Sequence, residues 1–162
     1  MDFSKIDKGL VTLDKSEFSF SEVINNVINF AESSCQQKGL ECRVIQNFDD
    51  IMVKSDQVRL TQIFFNLITN ATKFTRTGSV KISVDLTLDE TSKNNEIERT
   101  LIFSVADTGI GIAKDKLETI FSSFTQAEPH ISREFGGSGL GLSIVKSLVD
   151  QFSGTIKVVS EE

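Results

Sequence analysis

Proline, cysteine and histidine are scarce in this chain of 162 residues: it holds one Pro, two Cys and one His. With Pro129 alone, and with no stretch rich in Pro or in Gly and Ser, the middle of the chain offers no linker. Cys35 and Cys42 stand outside any CxxC pair, which argues against a cysteine zinc site or a redox motif and leaves two reduced, partly buried thiols in a reducing compartment. No apolar run approaches the roughly 20 residues that span a bilayer. The opening MDFSKIDKGL lacks the apolar core of a secretion signal, so the expectation is a soluble piece. Basic residues are also in deficit, 17 Lys and Arg against 23 Asp and Glu, for a net charge of -6. That balance excludes a surface that tracks nucleic-acid phosphates, while a partner met through local basic residues stays open. No internal repeat and no low-complexity segment is present.

What the chain does have is ordinary globular make-up, 39% hydrophobic and 25% charged, enough for one compact domain. Ser19 and Glu22 have capping-box spacing, and Val23, Ile24, Val27, Ile28 and Ala31 recur at helical intervals. This predicts a helix over 21–37 that stops at Gly39. Short extended segments follow at 41–46 and 51–54. Ser55 or Asp56 then caps a second helix, with Val58, Leu60, Ile63, Phe64, Leu67, Ile68 and Ala71 on its apolar face.

The stretch SVKISVDLTL, 79–88, alternates strictly and predicts a half-buried strand. A polar turn leads to TLIFSVA, an antiparallel partner strand in which Leu101, Phe103 and Val105 share a parity that reaches Asp107. A short helix is expected near 114–120. Residues 125–138 have no periodicity. Leu140, Ile144, Val145, Leu148 and Phe152 then mark a further helix, and GTIKVV reads as a last strand. The order predicts an α+β fold: a mixed, mostly antiparallel sheet with helices on one face, a two-layer α/β sandwich.

Three stretches carry chemistry. VADTGIGI places an acid, Asp107, at a strand end before nearly bare backbone, which suits either a plain turn or a pocket in which the acid bonds a ligand. Asn66, Asn70 and Lys73 fall at i, i+4 and i+7 on the second helix, with Gln62 and Arg59 extending the stripe. A solvated helix face accounts for that spacing. Buried asparagines would instead need partners, and their amide oxygens can ligate a hard cation while the ammonium meets phosphate. GGSGLGLSI, 136–144, sets glycines before a helix start, where free N–H groups and the helix dipole favour anions. Leu142 stands where a P-loop requires Lys, so there is no Walker A motif, and no GxGxxG follows a strand.

Taken in order, FNLITNATKF, DTGIGI, FSSF and GGSGLGL resemble the N, G1, F and G2 boxes of the ATP-binding catalytic domain of sensor histidine kinases, across about residues 17–159. The resemblance implies the Bergerat ATP-binding fold of the GHKL superfamily, with ATP and Mg²⁺ as cofactors. It makes Asp107 the acceptor for the adenine exocyclic amine, with Gly109 and Gly111 letting backbone approach the base and sugar. Asn70 corresponds to the magnesium ligand, Asn66 to its helper and Lys73 to a phosphate-binding lysine. Phe74, Ile112 and Phe124 join the cofactor-binding set, Phe74 as an aromatic near the adenine. Phe121 and Phe124 resemble the F box and serve equally as core aromatics. The resemblance makes residues 125–138 an ATP lid, in which Arg133 contacts the terminal phosphate and His130 is an ordinary lid residue. Gly137, Gly139, Leu140 and Gly141 belong to the phosphate-wrapping helix start, where Leu140 packs.

Related ATPases and serine kinases carry a glutamate where this chain has Asn66. An amide cannot serve as general base, which suits transfer to a histidine, itself a nucleophile when neutral. The expected function is therefore the catalytic domain of a two-component histidine kinase; the alternatives are a GHKL-type ATPase and a non-catalytic nucleotide-binding module. Residues 1–16 resemble the end of a dimerisation and phosphoacceptor helix or a linker, and 17–162 the catalytic domain with its final strand cut short. FTQAEPHISREFGGSGLGLSIVKSLVD is similar to bacterial hybrid kinases, including quorum-sensing ones of the LuxQ type. The implied partners are the dimerisation and histidine-phosphotransfer domain of the parent protein and a downstream receiver domain. The parent is expected to be membrane-anchored with this domain facing the cytoplasm, and the fragment itself monomeric.

Overall fold

The computed structural model describes residues 12–88, 98–122 and 141–161. The expected lid, the polar turn after residue 88, and Phe124, His130, Arg133, Gly137, Gly139 and Leu140 lie outside them, as do the first eleven residues. The elements run β1 (Ser16–Ser19), α1 (Phe20–Lys38), β2 (Glu41–Asn47), β3 (Met52–Ser55), α2 (Gln57–Phe74), β4 (Ser79–Leu88), β5 (Arg99–Asp107) and α3 (Gly141–Gln151).

Helix α1 begins where its capping chemistry says it must. The Ser19 hydroxyl accepts from the Glu22 N–H, and at the other end Gly39 turns left-handed at φ 67°, donating its N–H to the Cys35 and Gln36 carbonyls. Helix α2 takes Asp56, not Ser55, as its cap: the carboxylate accepts from Arg59 N at 3.0 Å. The other oxygen of Asp56 accepts from Asp14 N at 3.0 Å, tying the chain ahead of β1 to the start of α2.

The strands form two sheets. In the larger the order is β2-β4-β5, with β2 parallel to β4 and β4 antiparallel to β5; β1 and β3 pair antiparallel as a separate ribbon. Register places Val80, Ile82 and Val84, all fully buried, opposite Asp107, Val105 and Phe103. This is the face that the helices cover. Ile24, Val27 and Ala31 of α1, Phe64 and Ile68 of α2, and Val145 and Leu148 of α3 close the core, each fully buried Val, Leu, Ile or Phe side chain contributing about 1.5–3 kcal/mol. Phe64 stacks on Phe103 with ring centroids 4.1 Å apart, joining α2 to β5, and Phe30 stacks on Phe65 to join α1 to α2. Cys35 and Cys42 are free thiols in this core; burial, with smaller electrostatic contributions from Cys35 and Glu32, pushes Cys42 up to about 11.

Several expectations need correction. Val58, placed on the apolar face of α2, is 69% exposed, because it sits in the first turn directly after the cap, beyond the packed part of the helix. Ribbon strand β1 was not expected. The helix expected at 114–120 is a succession of turns, mostly closed by i to i+3 bonds such as Lys116 N to Ala113 O and Ser122 N to Thr119 O. GTIKVV is not a strand: 155–160 has alternating exposure, and Ile156 packs on the core, but its backbone joins no ladder among the described residues.

Candidate functional site

The site is built from the end of β5, the last two turns of α2 and the first turn of α3. On β5 the inward residues Leu101, Phe103 and Val105 pack against the core, and their parity puts Asp107 at the margin of the same face, exposed. Asp107 Oδ1 accepts from Gly109 N at 2.8 Å and lies 3.4 Å from the hydroxyl of buried Thr75. Among the described residues nothing donates to Oδ2.

The backbone after Asp107 is latched to α2. Ile110 N–H donates to the Phe74 carbonyl at 3.3 Å. A Cβ at Gly109 would stand 2.5 Å from that same carbonyl oxygen and 2.6 Å from Asp107 Oδ1, so no side chain fits there. Gly111 has φ 72°, the left-handed region that glycine enters without cost. Thr108 closes the other side: its N–H donates to Ser79 O at 3.1 Å, and its hydroxyl accepts from Ser79 N at 3.0 Å. That hydroxyl occupies the space a Cβ at Gly78 would need. Of the two readings the sequence offered, the turn is present, and it leaves Asp107 Oδ2 without a donor among the described residues. Ile112 is half-buried beyond the loop and donates its N–H to Ser160 Oγ at 2.8 Å.

On α2 the polar stripe is not a solvated face: Arg59, Gln62, Asn66, Asn70 and Lys73 are all half-buried. Arg59 bonds the Gln62 side chain at 3.3 Å, and the Asn66 amide donates back to the Gln62 carbonyl at 3.0 Å. Gly141, first residue of α3, brings the helix start over the stripe. A Cβ on it would lie 3.6 Å from Asn66 Oδ1 and 3.7 and 3.8 Å from the Asn70 amide atoms. Two amides therefore face the N-terminal turn of a helix, where free N–H groups and the dipole favour negative charge. Asn70 lies one turn back from Phe74 along the helix, about 6 Å.

Lys73 Nζ sits 4.8 Å from the Phe74 ring centroid, within cation–π reach. Burial, and then the nearby Lys38 ammonium, hold its pKa below the ordinary lysine value. Lys38 itself donates to the Thr72 carbonyl at 2.7 Å and reaches Lys73 O at 3.4 Å, covering the negative end of α2. Phe121 is half-buried. Sequence reasoning did not find Thr75, Thr108, Gly78 or Lys38 as supports. Their proximity in sequence to FNLITNATKF and DTGIGI was the only signal for the first three, and Lys38 had none.

The profile of the "Histidine kinase-, DNA gyrase B-, and HSP90-like ATPase" family matches residues 55–162. The chain belongs to this family. Its match includes α2, the Asp107 loop and α3, the elements that form the site. Among curated family relatives, it is 41% identical over its whole length to the autoinducer 2 sensor kinase/phosphatase LuxQ of Vibrio parahaemolyticus, of which it covers 18%. It is 36% identical, across 99% of its length, to the hybrid signal transduction histidine kinase B of Dictyostelium discoideum, covering 8% of that protein. The chain thus spans less than a fifth of the length of these relatives. Among solved structures, that of full-length ShkA in complex with AMPPNP superposes at a TM-score of 0.69 with 27% identity, over 93% of this chain and 29% of ShkA. The histidine kinase catalytic domain is therefore the fold, as the α+β expectation required.

Proposed function

We propose that this domain binds Mg·ATP and transfers the γ-phosphoryl group to a histidine on a separate dimerisation and phosphoacceptor domain. The observation that carries the reading is the convergence of the Asn66 and Asn70 amides on the N-terminal turn of α3, one helical turn from a loop that presents an open carboxylate oxygen. Both the ATP analogue bound to ShkA and the sensor kinases similar to this chain support it.

In this reading Asp107 Oδ2 accepts from the adenine amine, with Phe74, Ile112, Phe124, Gly109 and Gly111 around the base and sugar. A carboxylate there rejects guanine, whose carbonyl at the same position offers no donor. Lys73, Gly141, Gly137, Gly139 and Arg133 meet the phosphates, and Leu140 packs beside them. Amide oxygens are hard donors, so the Asn70 side chain fits a magnesium ion, which would supply charge neutralisation between the phosphates. Asn66 orients that end of the site and cannot accept a proton. An imidazole nitrogen of the acceptor histidine attacks the γ-phosphorus, the bond to the bridging oxygen breaks, and ADP leaves. Positioning and charge stabilisation are what the domain contributes.

The parent protein would join this domain to a dimerisation and phosphoacceptor domain, to which residues 1–16 lead, and to a receiver domain downstream. We place the parent in the membrane with this domain in the cytoplasm and the isolated domain as a monomer; no helix among the described residues is long and apolar enough to cross a membrane. The test is calorimetry with ATP, GTP and ADP, with and without magnesium, followed by phosphorylation of a supplied acceptor domain. ATP should bind and GTP should not, and Asp107→Asn should lower ATP affinity about 30-fold without lowering the melting temperature. Steady hydrolysis of ATP by the domain alone, or unchanged affinity in Asp107→Asn, contradicts the assignment.

A further inference from the structure

Thr75 stands directly behind Asp107 and is only 1% exposed. Its hydroxyl has one hydrogen and two acceptors in reach, Ala71 O at 2.7 Å and Asp107 Oδ1 at 3.4 Å. The Ala71 carbonyl is also served by the Thr75 backbone N–H at 3.2 Å. The hydroxyl bond to that carbonyl is therefore a duplicate, and turning the hydrogen towards Asp107 orphans no buried group. Oδ1 then accepts from two donors, Gly109 N–H and Thr75 Oγ1, and the carboxylate plane is fixed with Oδ2 outward.

We infer that Thr75 is a positioning residue for base recognition: its buried hydroxyl is a reserve donor that swings from Ala71 O to Asp107 Oδ1 when a purine amine engages Oδ2. This rests on the base-reading role proposed for Asp107. The hydroxyl is sealed from solvent, so water cannot replace it. Its removal leaves Oδ1 with a single donor and lets the carboxylate rotate about its terminal torsion, which is soft. The effect falls on ligands that use the carboxylate and spares those that do not.

The experiment measures affinity for ATP and for purine riboside triphosphate, which lacks the exocyclic amine, in four proteins: wild type, Thr75→Val, Thr75→Ser and Asp107→Asn. Thr75→Val keeps the shape and removes the hydroxyl. ATP affinity should fall about three- to tenfold, the net contribution of one ordinary hydrogen bond, since the carboxylate keeps its bond from Gly109 N–H. Affinity for the amine-free analogue should change less than about twofold, and Thr75→Ser should restore ATP binding. Equal losses for both nucleotides would mean that Thr75 merely supports the backbone, and an unchanged ATP affinity would also overturn the inference.

Asp107→Asn separates the two levels of the argument. If it leaves the ATP-to-analogue ratio at the wild-type value, the base-reading role has failed. If it collapses the ratio while Thr75→Val does not, only the role of Thr75 has failed. Should Thr75→Val not fold, the wild type decides: in methyl-labelled protein, ATP but not the analogue should shift the Thr75 methyl resonance. Identical shifts with both nucleotides overturn the proposal.

Discussion

At the Asp107 end of the site, polar groups are already engaged with one another: Gly109 N–H holds Oδ1, Thr108 clasps Ser79, and the Phe74 carbonyl receives Ile110. At the Asn70 end the amides lie under the first turn of α3, and Asn66 returns one bond to its own helix while Asn70 makes none among the described residues. The first region is preorganised before any ligand arrives. The second, in the proposed reading, is a set of donors and acceptors for phosphates and a metal. A base needs a shape and one directed bond, which rigid backbone supplies; phosphates and a metal need charge and coordination, which uncommitted groups supply. Damage to the two ends should therefore differ in kind.

The largest effect is expected at the open end. Asn70→Ala should slow phosphorylation of a supplied acceptor domain by on the order of 100-fold or more, since charge stabilisation of the transferred group is worth several kcal/mol. Its affinity for ADP without magnesium should change less than about threefold, because the base end is untouched. A proportional loss of magnesium-free ADP binding in a quantitative titration would show that the two ends are one unit, and the comparison would break.

Next comes Gly109→Ala, which attacks the engaged end. The new methyl meets Phe74 O and Asp107 Oδ1 well inside contact distance, and one of those neighbours is backbone. Overpacking of this sort costs about 1–3 kcal/mol, so affinity for ATP and for magnesium-free ADP should fall together by roughly 10- to 100-fold. The discriminating feature is that magnesium dependence stays as in the wild type. Preserved ADP affinity in this variant would mean that the loop does not touch the base.

The same contrast governs how much could be read from the chain alone. Helix α1 was legible because its signals are local: Ser19, Glu22 and Gly39 act within a few residues of where they sit. The inward parity of Asp107 was legible because a strand alternates with period two. Ribbon strand β1 was not, since four residues carry no alternation and its existence depends on pairing with Met52–Ser55. GTIKVV shows the limit of alternation, which tells which side chains are half-buried and says nothing about whether the backbone finds a ladder. The asparagine stripe was visible, but whether it was solvated or covered depended on Gly141, some seventy positions away. Thr75 and Thr108 acquire their roles only when the end of β5 comes to rest against the end of α2. Hydroxyls are common in turns, and no spacing distinguishes these two.

The smallest effect concerns the boundary between the two ends, where Lys73 stands over Phe74. Burial is the larger cause of its lowered pKa and the Lys38 ammonium the smaller. If Lys73 meets the phosphates as proposed, that contact requires the protonated form and favours it, so bound ATP should raise that pKa again. Between the lowered free value and the raised bound value, binding takes up a proton and affinity declines as pH rises. Because the free value lies below that of an ordinary lysine, the decline begins at a lower pH than an exposed lysine would give. Lys38→Met removes the like charge and leaves the burial, so the decline should move to higher pH while affinity near pH 7 changes by only about twofold. Loss of the ammonium that covers the Thr72 carbonyl should at the same time cost about 0.3–1 kcal/mol of stability. ATP titrations from neutral to strongly alkaline pH, in two buffers of different ionisation enthalpy, count the proton directly. If the wild type and Lys38→Met show the same alkaline decline and no uptake, Lys73 does not meet the phosphates, and the open end is served by Asn70 and the start of α3 without it.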